Sequence, residues 1–163
     1  MSIKIEQWKK QRNEKAFSHR KLCEKLKKTK GKKLNDIADQ LHLKVFEQVD
    51  CLDCANCCKS IPPILNETDI RRIAKHIGIK TTDFKNIYIK VDEDADMVFN
   101  NSPCSFLEPD NKCTIYENRP KACREYPHTG NFDFIKNLKL HPINSKYCPA
   151  VFHILEEFMQ IVK

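Results

Sequence analysis

The chain has 163 residues, of which 40% are hydrophobic and 31% charged, and its formal net charge is +7. This length fits one domain with a hydrophobic core of its own, and no apolar run approaches the roughly 18 residues that a membrane span needs. The charged N-terminal segment lacks the apolar region of a secretory signal. We therefore expect a cytoplasmic protein, in a reducing compartment where structural disulfides are rare.

Positive charge is concentrated in residues 4–33, which contain eleven Lys and two Arg against three Glu. Such a segment is typical of a solvated helical face, and it could also bind nucleic acid or an acidic partner. Only Trp8 and Phe17 interrupt the basic residues, so an aromatic series that would stack on single-stranded nucleic acid is missing. We expect residues 1–33 to be a basic helical extension of a domain that spans residues 34–163.

Hydrophobic periodicity and capping residues predict a mainly helical chain. Asn66 is a candidate N-cap, Glu67 and Asp69 favour the positive end of the same helix, and Gly78 ends it. The predicted helices span residues 3–28, ending near Gly31, then 34–49, 66–78, 81–89, a short segment after Pro120, and 148–162.

One small hairpin completes the predicted fold. The stretch PCSFLEPDNKCTIY, residues 103–116, is expected to turn at Pro109-Asp110, because Pro favours the first central position of a turn and Asp its neighbour. The acidic residues 92–96 are expected to form a solvated loop that leads into a strand. The expected fold class is mainly α with a small β-hairpin, as a single cysteine-cluster domain stabilised by metal.

Eight of the nine cysteines lie between residues 51 and 148, whereas Cys23 lies apart in the basic segment and is interpreted as a bystander. A disulfide framework, a redox-active dithiol and a set of metal ligands are the three explanations for such density. The odd count and the reducing compartment argue against disulfides, and a thioredoxin-type motif would follow a strand and not a helix. Metal ligation remains, and its candidate ligands are Cys51, Cys54, Cys57, Cys58, Cys104, Cys113, Cys123 and Cys148.

The motif CLDCANCC has a simple geometry if it is helical. A period of 3.6 residues then places Cys51, Cys54 and Cys58 on one face and turns Cys57 away, so that a fourth ligand must come from the downstream cysteines. An all-sulfur ligand set suits zinc or an iron–sulfur cluster, and eight thiols could form two zinc sites or one cluster and one zinc site. The alternative is that single cysteines such as Cys148 are small buried residues.

The motifs CLDCANCC, PCSFL, KCTIYENRPKACREYP and YCP together resemble the YkgJ-like cysteine-cluster family, whose CxxCxxCC domain is described as zinc- or iron-chelating. The resemblance spans residues 51 to about 150 and implies that the eight cysteines listed above hold metal. Flagellin lysine N-methylases contain a related cysteine pattern, linked to an iron–sulfur cluster. The basic segment and residues 34–50 lie outside the pattern and inherit nothing from it.

Two arginines flank Cys123 in this pattern. Cations beside thiolates stabilise the negative charge of a tetrathiolate metal site, which is the functional interpretation of Arg119 and Arg124. The alternative is that these arginines form structural ion pairs with Glu117 or Glu125.

Three functions are consistent with these observations. The first is a cysteine-ligated metal-binding protein whose zinc or iron–sulfur centre is at least structural, because it would tie distant segments together. The second is an iron–sulfur enzyme, either redox or related to methyl transfer, although no Gly-rich nucleotide loop supports it. The third is a module that binds nucleic acid or an acidic partner through its basic N-terminal segment.

Overall fold

Ten helices and one two-stranded ladder form the regular structure that the computed structural model describes over residues 3–29 and 33–162. The expected fold class, mainly α with a small β-hairpin, is confirmed. None of the described helices combines the length and apolarity that crossing a membrane requires. In chain order the elements are α1 (Ile3–Gln11), α2 (Ala16–Lys28), α3 (Lys33–Phe46), α4 (Cys51–Cys54), α5 (Asn56–Ser60), α6 (Glu67–Ile77), α7 (Thr81–Tyr88), β1 (Ile89–Val91), β2 (Met97–Phe99), α8 (Lys121–Glu125), α9 (His141–Asn144) and α10 (Pro149–Ile161), with 3₁₀ turns at Tyr116–Asn118 and Ile135–Asn137.

The chain divides into two compact units, which we call unit 1 (Met1–Cys54 and Pro127–Lys163) and unit 2 (Ala55–Tyr126). In unit 1, helix α10 packs against α1, α2, α3 and α9. Its sequence, PAVFHILEEFMQI, is apolar on most sides, as expected for a helix at the centre of a core. Leu155 and Phe158 of this helix are fully buried.

The basic N-terminal residues form two helices, so the single helix predicted for residues 3–28 is wrong. Residues 12–15 form turns between α1 and α2, and the break allows each helix to bury its own apolar residues. Trp8 of α1 is buried, and its Nε1–H donates a hydrogen bond to the carbonyl oxygen of Ser145 at 2.8 Å. The predicted stop at Gly31 lies outside the described residues.

The N-terminal helices pack within unit 1, because Leu22 and Leu26 of α2 belong to the same core cluster as the residues of α3 and α10. The expected division into a basic helical extension, residues 1–33, and a metal-binding domain, residues 34–163, stays a prediction.

Helix α6 begins and ends in unit 2 as the capping residues predicted. The side chain of Asn66 accepts a hydrogen bond from the backbone N–H of Asp69 at 2.8 Å. Gly78 ends the helix with a φ of 78°, a left-handed conformation that glycine adopts without steric cost. Ile73 of α6 and Phe84 of α7 are fully buried in the core of this unit.

The two-stranded ladder joins β1 to β2 and lies earlier in the chain than the predicted hairpin. The strand expected after the acidic loop is confirmed as β2, whereas residues 103–116 contain only an isolated bridge between Leu107 and Cys113. The turn predicted within that stretch is present, because the N–H of Asn111 donates to the carbonyl oxygen of Glu108 at 2.9 Å.

Candidate metal centre

The motif CLDCANCC forms two short helices, α4 and α5, and not one continuous helix. Ala55 separates them with a φ of 47°, a left-handed conformation that cannot continue a right-handed helix. The expected common face of Cys51, Cys54 and Cys58 is therefore wrong. Cys51 and Cys54 belong to unit 1, and Cys57 and Cys58 belong to unit 2.

Unit 1 contains three candidate ligands, Cys51, Cys54 and Cys148, which we call the three-cysteine group. Burial is the main cause that raises the pKa of the Cys148 thiol to about 12, and negative charge on Cys51 and Cys54 raises it further. Both cysteines therefore lie within electrostatic reach of Cys148. The backbone N–H groups of Ala150 and Val151, at the start of α10, hydrogen-bond to the Cys148 sulfur and oppose these effects.

Unit 2 contains Cys58, Cys104, Cys113 and Cys123, which we call the four-cysteine group. Burial is the main cause that raises the pKa of Cys123 to about 12, and charge on Cys58, Cys104 and Cys113 adds to the effect. Burial and then the charge on Cys58 also raise the pKa values of Cys104 and Cys113. Negative charge on neighbouring cysteines thus disfavours ionisation of three of these four thiols, and a bound cation would offset that charge.

Two backbone N–H groups point at sulfurs of the four-cysteine group. The N–H of Phe106 hydrogen-bonds to Cys104 and that of Ile115 to Cys113, and each lowers the pKa of its thiol. In addition, the N–H of Cys104 donates to the carbonyl oxygen of Cys58 at 2.9 Å. Donors used in this way cannot extend a strand ladder, which explains why strands were wrongly predicted there. The N–H groups of Phe106 and Ile115 orient the two sulfurs and favour their anionic form.

Cys57 lies beside the four-cysteine group. Its sulfur is 4.0 Å from the sulfur of Cys58, and the hydrogen bond between them is the main cause that lowers the pKa of Cys58 to about 7. The positive charge of Lys59 contributes in the same direction. Cys58 is therefore the thiol of this group that most readily provides a thiolate near neutral pH.

Arg119 is a second cation near the four-cysteine group. Its guanidinium stacks on the ring of Tyr116 at 3.8 Å, and its charge lowers the pKa values of Cys113 and Cys123, although less than burial raises them. Arg124 instead donates from Nη1 to the carbonyl oxygen of Arg119 at 2.6 Å.

The alternative role of the two arginines, ion pairs with Glu117 or Glu125, is not observed in unit 2, all of whose residues the structure describes. The carboxylate of Glu125 pairs with Lys121 at 3.6 Å.

Cys23 and His42, which lie in unit 1, are held by packing and by a hydrogen bond respectively. Cys23 is buried in the core of unit 1, and burial followed by the charge of Glu24 raises its pKa to about 12, with no contribution from another cysteine. His42 Nδ1 hydrogen-bonds with the hydroxyl of Thr129 at 2.9 Å. None of the nine cysteines, which all lie in the described parts of the chain, is in a disulfide.

The donor set of the two groups fits a thiophilic metal, because thiolates are the ligands that zinc and iron–sulfur clusters prefer. Within each group, charge on one cysteine affects the ionisation of another. Within residues 3–29 and 33–162, no three Cys, His, Asp or Glu side chains are arranged so that they hold one ion.

Sequence reasoning missed the elements that position the cysteines. Asp69 was interpreted only as a carboxylate that favours the start of α6, yet it is 2% exposed and bonds to the backbone N–H of Lys121. The N–H donors of Phe106 and Ile115 were missed as well. The spacing of each donor, two residues after a cysteine, is a signal that the sequence does contain.

The sequence profile of the CxxCxxCC family, described as "Putative zinc- or iron-chelating domain", matches residues 50–149. The chain belongs to this family. The resemblance recognised from the cysteine motifs is confirmed, and the match contains every member of the three- and four-cysteine groups. Neither a curated protein nor a solved structure matches the chain. In this member of the CxxCxxCC family, the family's cysteines divide between two compact units.

Proposed function

We propose that this protein binds metal through two sets of cysteines, the four-cysteine group in unit 2 and the three-cysteine group in unit 1. The observation that carries the proposal is that the pKa of Cys123 is raised by negative charge on three other cysteines, Cys58, Cys104 and Cys113. Four thiols so arranged gain from a cation among them, since metal binding replaces their protons. Membership of a zinc- or iron-chelating family supports the same conclusion.

The proposed centre is at least structural. Helix α8, which carries Cys123, has five residues, too few to be stable without tertiary contacts. A metal held by α5, α8 and the loop between Cys104 and Cys113 would join three segments of unit 2. When bound, the metal supplies positive charge that offsets the thiolates, and its binding free energy contributes to folding.

The identity of the metal is decided by purification under anaerobic conditions and metal analysis. Stoichiometric zinc in a colourless protein would support a structural site and would argue against redox chemistry. Iron with acid-labile sulfide in a brown protein would support an iron–sulfur cluster. Either centre persists most readily in a reducing compartment, which is consistent with the proposed cytoplasmic location.

Cysteine variants test the ligand assignment. Cys123→Ser is expected to lose the metal of the four-cysteine group and Cys54→Ser that of the three-cysteine group, so that each variant keeps part of the wild-type content. Cys23→Ser is the matched control, because Cys23 is buried but its pKa receives no contribution from another cysteine. Wild-type metal content in both ligand variants would contradict the proposal.

A second candidate function rests on the basic face of α2. Arg20, Lys27 and Lys28 are exposed, and the ammonium of Lys21 lies 4.6 Å from the ring centroid of Phe17, which is 65% exposed. Since the apolar side of α2 is buried in unit 1, its charges face outward, where a phosphate backbone could bind them.

Charge reversal tests this second function more cleanly than deletion, because deletion would also remove buried core residues. Arg20→Glu combined with Lys27→Glu is expected to weaken binding to a random-sequence DNA duplex and to reduce its salt dependence. Lys75→Glu, an exposed reversal in unit 2, is the control. Equal binding by both variants, or no salt-sensitive binding by the wild type, would contradict the second function.

A further inference from the structure

Asp69 is the one carboxylate that is buried within residues 3–29 and 33–162, with an exposure of 2%. A buried carboxylate is costly unless its oxygens are hydrogen-bonded or ion-paired. The helix to which Asp69 belongs does not need this charge for its start, because Asn66 already caps α6. The partners of Asp69 therefore indicate its role.

The partners of Asp69 lie on the segment that precedes Cys123. Its Oδ1 accepts a hydrogen bond from Nη2 of Arg72 at 2.6 Å. Both of its carboxylate oxygens are 3.2 Å from the backbone nitrogen of Lys121, which donates to them. Lys121 is the first residue of α8, and Pro120 before it has no N–H and provides no side-chain cap. The Asp69 carboxylate, which belongs to α6, thus accepts a hydrogen bond from the first backbone N–H of α8.

Arg72 extends the same set of contacts. Its Nη2 also lies 3.3 Å from the carbonyl oxygen of Asn118 and 2.9 Å from that of Arg119, so that the two hydrogens of Nη2 are shared among three acceptors. Together the two side chains, which we call the Asp69–Arg72 clamp, bind three backbone groups within residues 118–121. Charged hydrogen bonds of this kind are stronger than neutral ones.

Apart from the clamp, the hydrogen bonds of this segment are mostly to its own neighbours in sequence. Of residues 118–125, only Pro120 is buried, so hydrophobic packing provides few contacts, and α8 is too short to be stable alone. Cys123 is the third residue of α8, and Arg119, whose charge lowers the pKa values of Cys113 and Cys123, lies inside the clamped stretch. The positions of a ligand and of its neighbouring cation therefore depend on the clamp.

We propose that Asp69 and Arg72 are positioning residues of the four-cysteine group, which hold Cys123 and Arg119 in place for metal binding. The inference rests on the proposed function, because it assigns a role toward the same metal. Neither residue bonds to a cysteine, so their effect on the metal passes through the backbone of residues 118–121. Residues that orient metal ligands typically change metal affinity by about 10- to 100-fold when they are replaced.

The test uses Co²⁺ as a probe in the full-length protein, because its sulfur-to-metal charge-transfer absorption reports how many thiolates bind. Asp69→Asn and Arg72→Lys are each expected to weaken Co²⁺ binding by about 10- to 100-fold. Lysine preserves the charge beside Asp69, but its ammonium lies on a flexible stem and is not held toward the three acceptors as the planar guanidinium holds Nη2. The matched controls are Glu67→Gln and Arg71→Gln, since both residues are exposed neighbours on α6.

A double-mutant cycle separates positioning from general stability. In the Cys123→Ser background, Asp69→Asn is expected to cause no further loss of Co²⁺ affinity, because the ligand that it positions is already absent. Equal losses in the two backgrounds, or wild-type affinity in both Asp69→Asn and Arg72→Lys, would overturn the inference. If instead Cys123→Ser itself binds Co²⁺ as the wild type does, the metal site proposed for the four-cysteine group is wrong, and the inference fails with it.

Discussion

Single residues show how burial and neighbouring charge act on the same chemical group. Burial raises the pKa values of Cys23, Cys123 and Cys148 to about 12, but negative charge from other cysteines contributes only at Cys123 and Cys148. Cys23 is therefore a packing residue, whereas the other two are members of groups that a cation would stabilise. A thiol's neighbours, more than its burial, distinguish a candidate ligand from a core residue.

His141 leads to a prediction about acid stability. It is fully buried, and burial lowers its pKa from 6.5 to about 4. Between these values the unfolded chain binds a proton that the folded chain does not, so the free energy of unfolding should fall as the pH falls from 6.5 to 4. The loss from this residue is at most about 3 kcal/mol.

Urea unfolding at several pH values measures this effect. His141→Gln should have a shallower dependence of unfolding free energy on pH in that window, whereas His76→Gln, an exposed replacement on α6, should keep the wild-type dependence. An unchanged slope in His141→Gln would show that another group controls the acid response.

At the scale of elements, local caps decide where α6 begins and ends. Asn66→Ala should lower the free energy of unfolding by about 1 kcal/mol, because the N–H of Asp69 loses its acceptor. Asn66→Ser retains a capping oxygen and should restore most of the loss. Chemical denaturation of the three proteins measures both effects, and equal stability of the alanine and serine variants would contradict the capping role.

The same locality explains which elements the sequence could predict. Asn66 and Gly78 act within a few residues of the helix ends that they define, so their positions were correctly predicted. The break at Ala55 could not be predicted, because alanine favours helix and adopts its left-handed conformation here in a tertiary context. The N–H groups of Phe106 and Ile115 likewise bond to sulfurs, which competes with the strands that the hairpin pattern favoured.

At the scale of the whole molecule, the division into two units explains why the sequence did not show how the cysteines are grouped; that all eight bind metal stays a prediction. The motif spacing is continuous across Cys54 and Cys57, whereas the boundary between the units falls at Ala55. Contacts between residues distant in sequence determine the grouping, as the effect of Cys58 and Cys104 on Cys123 illustrates.

The packing of α1 within unit 1 gives a prediction for the N-terminal helices. Trp8 is 1% exposed and bonds to Ser145, so Trp8→Ala should lower the free energy of unfolding by about 3–5 kcal/mol. Lys10→Ala, at an exposed position of the same helix, should have little effect. Circular dichroism during thermal unfolding measures both, and a stable Trp8→Ala variant would favour an independently folded domain over residues 34–163.

X-ray absorption at the edge of the bound metal tests the central claim most directly, in full-length protein prepared without oxygen. If cysteines hold the metal, the first coordination shell consists of sulfur at about 2.3 Å, and Cys123→Ser reduces the amount of metal bound. A first shell of nitrogen or oxygen, or protein that contains neither zinc nor iron, would contradict the account.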